Sequence, residues 1–383
     1  MRKIACAVTS RASYARIKTA LQAINGHPDL DLQVIAAASV LLEKYGSAVN
    51  VMDGDGLSIA ERVYMIVEGE NPVTMAKSVG LGIIEVTTAL DNLKPDLVIT
   101  IADRFETMAT AISASYTNTP LVHIQGGEVT GSIDERVRHS ITKLSDYHFV
   151  SNEMAGERVI RMGEMPERVF VTGCPSIDLA RSVMERPGMD FDPVQKYGGV
   201  GAGIDLDKPY IVLLQHPVTT EYPMAREHMR RTLMAINGTG VQCMVFWPNV
   251  DAGSDGTSKA IRSFREEHRE NAMHFFKNMP PESFLKLLIH SSCIVGNSSV
   301  AVRECSCLGV PAVNIGSRQQ GRERGRNVLD AAYETDAIRK AIEDQMAHGK
   351  YASELIYGDG LAGQRIAELL ASVPLTQKAG LAY

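Results

Sequence analysis

The sequence predicts an α/β protein with two doubly wound parallel-sheet domains that face each other across a cleft. Short, continuous apolar runs alternate with helical patterns, as they do when helices cover both faces of a parallel sheet. A stretch rich in Gly, Pro and Asp, 186–209, interrupts this alternation, which then starts again. The length of 383 residues also exceeds what one ordinary hydrophobic core accommodates.

The first Rossmann-like domain is predicted at residues 1–182 and begins with the strand KIACAVTS and the helix YARIKTALQAI. The later strands share an uninterrupted apolar character and are LQVIAAA, PDLVITIA, PLVHIQGG, YHFVS and RVFVTG. The helices between them are GLGIIEVTTALDNL, RFETMATAISASY, one from about Ser132 and one near 154–162. This alternation places the ends of successive parallel strands at one edge of the sheet.

A linker at 183–208 leads to a second Rossmann-like domain at 209–357. Its predicted strands are YIVLLQHP, QCMVFWPN, CIVGNSS and PAVNIG, and its helices are AREHMRRTLMAI, PESFLKLLIHS, VAVRECSCLG and TDAIRKAIEDQM. A terminal helix is predicted within 358–375, and the tail 376–383 is expected to fray. Ligands of α/β sheets bind at the carboxyl ends of the strands, so the cleft is the expected site.

Composition and charge exclude several classes of protein. The net charge is −6 and no basic run occurs, which argues against a nucleic-acid partner. The amino terminus lacks the pattern of a signal peptide, and no stretch approaches the roughly 20 apolar residues of a membrane span. Six scattered cysteines fit a reducing compartment and lack zinc spacing. We therefore expect a cytoplasmic protein with no metal site and no membrane partner.

Two segments that follow strands of the second domain predict a diphosphate site. GNSSVAVRE turns from a strand into a helix at Ser298 and Ser299, where unpaired N–H groups can hold a phosphate. Plain N-capping by a serine is the alternative. GSRQQGRERGRN adds Arg318 and further arginines whose planar forks suit phosphate, although exposed loop arginines would look the same. These further arginines are Arg322, Arg324 and Arg326. No Walker sequence or GxGxxG turn occurs, which disfavours NAD.

Two residues at other strand ends extend this hypothesis. His216, in QHPVTTE, ends a strand opposite the serine turn and is a candidate contact for a leaving group, although a lone histidine is often structural. Arg11, in TSRASYAR, ends the first strand, where it either meets phosphate or lies in a surface turn.

Acidic residues cluster after strands of the first domain. In HIQGGEVTGSIDE, Ser132 and Glu135 have the form of a capping box, whereas Asp134 lies in a first helical turn. The helix dipole favours the ionised form of Asp134, which makes it a better base than acid, and either role is open to Glu128. Carboxylates that share a cleft spread their pKa values, as acid–base chemistry requires.

The segment ADRFE presents a similar choice at the end of another strand. Asp103 and Glu106 have the form of a capping box, and the alternative is that Asp103 is a catalytic carboxylate.

Together these segments resemble the hydrolysing UDP-N-acetylglucosamine 2-epimerase family, which opens sialic and legionaminic acid synthesis. The matching segments cover about residues 95 to 330 and are DRFE, HIQGGEVTGSIDERVRHSITKLSDYHF, VTGCPSID, QHPVTTE, WPNVDAGS and GNSSVAVRECSCLGVPAVNIGSRQQGRERGRNV. The resemblance implies a GT-B type fold whose last helix crosses back onto the first domain. It also implies a UDP-amino sugar substrate, no cofactor, and a homodimer or homotetramer.

The implied reaction converts UDP-N-acetylglucosamine and water into UDP and N-acetylmannosamine. A base removes the proton at carbon 2 while UDP leaves, and water adds to the resulting 2-acetamidoglucal with inversion at carbon 2. Asp103 and Asp134 match the family's catalytic carboxylates, and Glu304 matches an acceptor for a ribose hydroxyl. The other positions that match its substrate contacts are Arg11, Arg104, His216, Asn249, Ser298, Ser299 and Arg318.

The chain departs from the family pattern at two places. Glutamate is frequent in the family where this chain has Gln125, and an amide cannot transfer a proton at neutral pH. We therefore expect Gln125 to orient substrate or water, with Glu128 in reserve for proton transfer. The first strand ends TSRASYA where relatives often read GSRAEYG, so Arg11 is kept and the glutamate is not.

Three alternatives to this function remain open. The first is a hydrolysing 2-epimerase acting on UDP- or GDP-2,4-diacetamido-2,4,6-trideoxyglucose. The second is a GT-B glycosyltransferase, which needs an acceptor pocket in place of proton-transfer carboxylates. The third is a non-catalytic UDP-sugar sensor, which Gln125 suggests.

Overall fold

The structure, a computed structural model, describes residues 1–248 and 250–382, and its first sheet is wholly parallel. The strands of this sheet are β1 (Arg2–Val8), β2 (Leu30–Ala37), β3 (Ile59–Val63), β4 (Leu97–Ile101), β5 (Leu121–Ile124), β6 (Tyr147–Val150) and β7 (Val169–Val171). Their spatial order is β3-β2-β1-β4-β5-β6-β7, so the direction of winding reverses between β1 and β4. Ligands bind at such a switch point in doubly wound folds.

Helices connect the strands of this domain and cover both faces of the sheet. They are α1 (Arg11–Asn25), α2 (Ala48–Gly54), α3 (Pro72–Leu93), α4 (Thr107–Tyr116), α5 (Asp134–Leu144) and α6 (Glu153–Arg161). The next helix, α7 (Pro175–Glu185), follows the last strand, and its Ile177 and Ala180 are buried in the core of the second domain. Alternate residues of β1 point to opposite faces: Ile4 and Cys6 pack with α1, whereas Ala5 and Ala7 pack with α3 and α4. Burial on both faces explains why the strand is continuously apolar.

The second sheet has the same architecture with one antiparallel strand at its edge. Its strands are β8 (Val200–Gly201), β9 (Tyr210–Leu214), β10 (Gln242–Phe246), β11 (Met273–Phe276), β12 (Cys293–Gly296), β13 (Ala312–Ile315) and β14 (Val328–Ala331). Their order is β14-β13-β12-β9-β10-β11-β8, and β8 runs antiparallel to β11. The helices from here to the end of the described chain are α8 (Pro193–Tyr197), α9 (Ala225–Asn237), α10 (Ser254–Glu267), α11 (Pro281–His290), α12 (Glu304–Leu308), α13 (Thr335–His348) and α14 (Ala362–Ser372). The predicted α/β class with two Rossmann-like sheets is therefore confirmed.

The last helix belongs to the first domain although it follows the second along the chain. Ile366 and Leu370 of α14 are buried in the core that α1 forms with the first sheet. The tail also lies on this domain, since Ala382 N–H donates to the Gly163 carbonyl at 2.9 Å. The expectation that the tail frays is wrong for its described part.

Sequence patterns missed some of these elements. The strand β3 reads IAERV and lacks a continuous apolar run, because it is the edge strand and only Val63 is buried in it. The pair α10 and β11 was also missed, and β8 lies within the stretch predicted as a linker. Contrary to expectation, the helix α3 has the length and mean hydropathy (1.3) of a membrane span. Of its most apolar 18-residue window, 28% is buried.

Candidate active site

A cavity of about 120 Å³ lies between the carboxyl ends of the two sheets. Its polar lining consists of Arg11, Arg16, Ser176, His216, Asn278, Ser298, Ser299, Glu304 and Arg318. Its apolar lining includes Leu214, Phe246, Met279, Phe284 and Leu285. The volume is below the roughly 300 Å³ at which small-molecule sites begin.

The serine turn forms one wall of this cavity and depends on a glycine. Gly296 ends β12 with φ +132°, and a Cβ there would lie 2.2 Å from the Leu214 carbonyl oxygen. Only glycine fits this close approach to the neighbouring strand. Ser298 follows in extended conformation and caps a short 3₁₀ turn by accepting from Val300 N–H at 3.5 Å. The capping alternative is therefore seen, and both serines nevertheless line the cavity.

Three basic side chains predicted to contact a diphosphate lie around this turn. Arg318 donates to the Asn297 carbonyl at 3.2 Å, and Arg11 crosses from α1 to the Lys277 carbonyl at 2.8 Å. Burial, followed by the nearby arginines, lowers the pKa of His216 well below its usual value, so its imidazole is neutral at pH 7. These positions give the cavity a positive wall and a neutral histidine.

Asp103 lies one side chain behind the cavity, among three guanidinium groups. It forms a short ion pair with Arg138, and its other oxygen is 3.4 Å from Arg16. Arg322 is 3.9 Å away. Arg16 also donates to Ser299 Oγ at 2.8 Å, which links this carboxylate directly to the serine turn. Asp103 is thus connected through Arg16 to the serine turn of the second domain.

Asp134 is linked to the start of the same turn through Arg318, which contacts both Asp134 and the Asn297 carbonyl. It is the first residue of α5, its side chain is 17% exposed, and it lies 3.5 Å from Arg318. Burial raises the pKa of Asp134, although Arg318 acts in the opposite direction. The helix terminus was expected to favour the ionised form of Asp134, whereas burial shifts its pKa in the opposite direction.

Gln125 and Glu128 are buried between the domains, and neither is among the described residues that line the cavity. Gln125 accepts from Arg303 at 2.9 Å and donates to Cys174 Sγ at 3.0 Å. Glu128 forms ion pairs with Arg303 and, at 3.2 Å, with Arg322. Burial would raise the pKa of Glu128, but these arginines outweigh it and hold the pKa below its usual value. The predicted reserve role of Glu128 in proton transfer does not fit this position.

The backbone is strained where β4 and β5 deliver these residues. Ala102 and Gln125 have φ values of 63° and 66°, in the left-handed region that non-glycine residues rarely adopt. Such conformations cost about 1–3 kcal/mol each and concentrate at functional sites.

Two further predicted contacts have different outcomes. Arg104 forms a bidentate ion pair with Glu106, at 3.1 and 2.9 Å, and another with Asp251 at 3.0 Å. Its guanidinium is therefore already held by two carboxylates. Asn249 lies outside the described residues.

Glu304, predicted to accept from a ribose hydroxyl, lies at the cavity. Its side chain lines the cavity, and its buried Oε2 has no hydrogen-bond partner among the described residues. A buried acceptor left in this state is costly unless a ligand supplies a donor.

The capping-box alternatives are wrong. The helix α4 begins after Glu106, which pairs with Arg104 and caps nothing. In the other segment, Glu135 accepts from Thr130 N–H at 2.6 Å, and Ser132 Oγ accepts from Asp134 N–H at 3.3 Å.

The arginine-rich loop is only partly as expected. Arg318 alone among its four arginines lines the cavity. Arg322 is buried beside Glu128, Arg324 pairs with Asp330 at 2.6 Å, and Arg326 is 90% exposed.

Sequence reasoning missed the other arginines of the site. Arg16 and Arg138 lie on the helices α1 and α5, and Arg303 lies in the turn just before α12. Arg138 follows Asp134 by one helical turn, a spacing that places both on one face and was the available signal. Among the described residues, no group of His, Cys, Asp and Glu side chains has the geometry of a metal site.

The fold and this cavity define a two-domain enzyme of the GT-B type, with the site at the junction of two Rossmann-like sheets. The family model for UDP-N-acetylglucosamine 2-epimerase matches residues 22–371. The chain belongs to this family, which confirms the resemblance seen in the sequence.

Individual relatives span nearly the whole chain. It is 32% identical to a UDP-N,N'-diacetylbacillosamine 2-epimerase (hydrolyzing) of Legionella pneumophila, over 98% of this chain and 97% of that protein. It is 29% identical to a UDP-N-acetylglucosamine 2-epimerase of Neisseria meningitidis, over 97% and 95% of the two chains.

Solved structures support the same fold. The UDP-GlcNAc 2-epimerase of Neisseria meningitidis bound to UDP-GlcNAc superposes with a TM-score of 0.76 at 17% identity, covering 96% of this chain and 99% of that one. The Methanocaldococcus jannaschii enzyme in complex with UDP-GlcNAc and UDP gives 0.77 at 17% identity, with the same coverage.

Proposed function

We propose that the protein is a hydrolysing UDP-sugar 2-epimerase that converts UDP-N-acetylglucosamine and water into UDP and N-acetylmannosamine. One observation carries this proposal: Arg16 joins Asp103 to Ser299, and Arg318 joins Asp134 to the strand end before Ser298. A diphosphate bound at the turn would therefore bring the sugar within reach of two carboxylates.

The reaction proceeds in two halves. In the first, a base takes the proton from carbon 2, the carbon 1–oxygen bond breaks, and UDP leaves with its electron pair. In the second, the oxygen of a water molecule bonds to carbon 1 of the 2-acetamidoglucal, and a proton adds to carbon 2 from the opposite face. The two halves require proton-transfer groups on both faces of the sugar ring.

Asp134 is the proposed proton-transfer group on one face. Its raised pKa brings it closer to neutrality, where a carboxyl group exchanges a proton more readily. Asp103 serves the other face and fixes Arg16, Arg138 and Arg322 around the site. Gln125 and Glu128 hold Arg303 in place between the domains.

The remaining lining residues suit a uridine diphosphate. Arg11, Arg318, Ser298 and Ser299 hold the departing diphosphate, and the positive charges stabilise it as it leaves. His216 contributes as a neutral hydrogen-bonding group. Glu304 accepts from a ribose hydroxyl, and the apolar wall with Phe246 and Phe284 receives the base.

A second substrate is favoured by a specific observation. The relative at 32% identity acts on UDP-N,N'-diacetylbacillosamine, as its name states, and the one at 29% on UDP-N-acetylglucosamine. These identities are too close to rank the two sugars. We therefore keep the 2,4-diacetamido-2,4,6-trideoxy sugar, carried on UDP or GDP, as the alternative substrate.

Proton NMR of the reaction in heavy water tests the reaction class and the substrate together. Each candidate UDP- or GDP-amino sugar is incubated without an acceptor. We expect a free 2-epimer with deuterium at carbon 2, together with the nucleoside diphosphate. A 2-epimer still attached to its nucleotide would contradict the hydrolysing reaction. An intact sugar beside bound nucleotide would support the sensor, and turnover only on addition of an acceptor would support a glycosyltransferase.

We also propose a cytoplasmic homodimer. All six cysteines are buried and unpaired, which suits a reducing compartment. The dimer contact is the outer face of α3, where Val73 and Ile84 are 62% and 64% exposed. If two copies of α3 pack antiparallel around Leu81, Lys77 of one copy lies opposite Glu85 of the other. Such self-complementarity is what a two-fold interface requires.

Sedimentation velocity tests this assembly. Ile84→Glu should give a monomer, because it places a charge in the apolar contact. Lys77→Glu should weaken the dimer, and adding Glu85→Lys to it should restore the wild-type mass. An unchanged mass for Ile84→Glu contradicts the interface. Flotation of the wild-type protein with lipid vesicles would instead assign the face to a membrane.

A further inference from the structure

A second cleft, of about 630 Å³, opens on the far side of the second sheet from the candidate active site. Its lining includes Trp247, Phe275, Arg262, Arg265 and Arg269. The volume falls within the roughly 300–1,000 Å³ typical of small-molecule sites. Because side chains alternate along strands, Phe246 faces the active-site cavity whereas the next residue, Trp247, faces this cleft.

The cleft combines cationic groups with flat aromatic surfaces. The guanidinium of Arg262 lies 5.7 Å from the ring centre of Trp247, and that of Arg265 lies 5.2 Å from the ring centre of Phe275. A guanidinium held against an aromatic ring keeps its N–H donors directed outward, and these donors suit a phosphate. Trp247 is only partly buried, so part of its ring faces the cleft.

The arginines of the cleft differ from two arginines on the neighbouring helix α9. Within residues 1–248 and 250–382, Arg262, Arg265 and Arg269 form no ion pair, although Glu266 also lines the cleft. Arg230 and Arg231, on the adjacent helix α9, both pair with Glu227, at 3.0 and 2.8 Å. The lining of the cleft thus carries three arginines and one carboxylate, an excess of positive charge.

A close approach of two strands forms one edge of this cleft. Gly201, in β8, has φ +134°, and a Cβ there would lie 2.3 Å from the Met273 carbonyl oxygen. Only glycine allows β8 to approach β11 this closely, and Gly201 itself lines the cleft.

We propose that this cleft is a second nucleotide site, which binds a mononucleotide with its phosphate on Arg265 and Arg269 and its base against Trp247. The site is separate from the cavity assigned to the substrate and goes beyond the proposed epimerase function. The ligand that fits is an anion attached to a planar ring. The arginines suit the anion and the aromatic surface suits the ring, and neither alone uses the whole cleft.

The chain supplies its own reporter for this experiment, because Trp247 is its one tryptophan. Its fluorescence is followed while AMP, CMP and GMP are added singly, with saturating UDP present to fill the substrate cavity. We expect a saturable change with at least one of the three. Ribose 5-phosphate, which lacks the base, should bind at least about tenfold more weakly, a difference of roughly 1.4 kcal/mol.

Two double variants separate a built site from general attraction of anions. Arg265→Ala with Arg269→Ala should raise the Kd for the mononucleotide at least about tenfold. Arg230→Ala with Arg231→Ala removes the same charge from paired arginines on α9 and should leave that Kd unchanged. UDP affinity, measured by calorimetry, should be the same in both and serves as the check of folding.

Three results would overturn the proposal. The first is no saturable response to any of the three mononucleotides. The second is equal weakening in the two double variants, which would indicate unspecific electrostatics. The third is ribose 5-phosphate binding as tightly as the nucleotide, which would leave the aromatic surface without a role.

Discussion

Replacing Glu128 by glutamine removes the negative charge that two arginines of the other domain surround. The Glu128 side chain is 0% exposed, and those of Arg303 and Arg322 are each 1% exposed. Glutamine keeps the shape of the side chain and can still accept the 2.7 Å hydrogen bond from Ser151. The substitution therefore changes charge and leaves packing almost unaltered.

The expected cost follows from the charges left behind. Removing one partner of a buried ion pair costs about 3–5 kcal/mol, because the other charge stays buried without compensation. Here Asp103 remains 3.9 Å from Arg322 and offsets part of that loss. We therefore expect Glu128→Gln to lower the free energy of unfolding by about 3 kcal/mol, the lower end of this range.

The cost should also depend on pH in a defined direction. The folded-state pKa of Glu128 is held below its usual value, so the ion pairs stabilise the wild type above the unfolded-state pKa of roughly 4.3. This stabilisation is lost as the pH falls through the folded-state pKa. The difference between wild type and variant should be constant from neutral pH down to about pH 5 and should shrink below it.

Urea denaturation measures this difference. Far-UV circular dichroism reports both domains and the fluorescence of Trp247 reports the second, so coincident curves show whether the two unfold together. Asp359→Asn is the matched control: Asp359 pairs with Arg365 at 2.6 Å, but the side chains are 48% and 39% exposed. That control should cost less than about 1 kcal/mol. A loss for Glu128→Gln no larger than the control's would refute the reasoning.

Three further predictions concern turnover. Asp134→Asn should lower kcat by roughly 10²-fold or more if this carboxyl transfers a proton, and steady-state kinetics near the wild-type rate would rule that role out. Glu304→Gln should raise KM about tenfold and leave kcat unchanged, since a ribose contact is made equally in the ground and transition states. Arg16→Met should lower kcat/KM by about 10-fold to 100-fold, because it removes one charged contact between Ser299 and Asp103. An unchanged kcat/KM would show that this contact does not support turnover.

The sequence was most informative where burial makes a pattern continuous. β1, β4, β5 and β9 are enclosed on both faces, and their apolar runs predicted both the strands and the polar residues that follow them. Edge strands carry no such signal: β3 is polar on one face, and β8 consists of two exposed residues.

The site was predictable only as far as its residues follow strand ends. Ser298, His216 and Arg11 were found in this way and line one cavity. The partners of the buried carboxylates were not, because Arg138 reaches them from the middle of α5 and Arg303 from the turn before α12. These partners decide which carboxylate is free to react. Asp134 and Glu128 are similar in sequence context, but their partners give them different environments.

The contact between Arg318 and Asp134 should make the pKa of this carboxyl depend on whether the diphosphate is bound. Arg318 lowers the pKa of this carboxyl, against the effect of burial, and Arg318 is also a proposed contact of the diphosphate. When the diphosphate draws Arg318 toward itself, Asp134 loses its cation and its pKa rises further, so it becomes a stronger base as the leaving group is bound. The acidic limb of kcat reports the complex and that of kcat/KM the free enzyme. We therefore expect the limb of kcat at the higher pH in the wild type, and no such separation in Arg318→Met; coincident limbs in the wild type would show that Arg318 stays with Asp134 throughout.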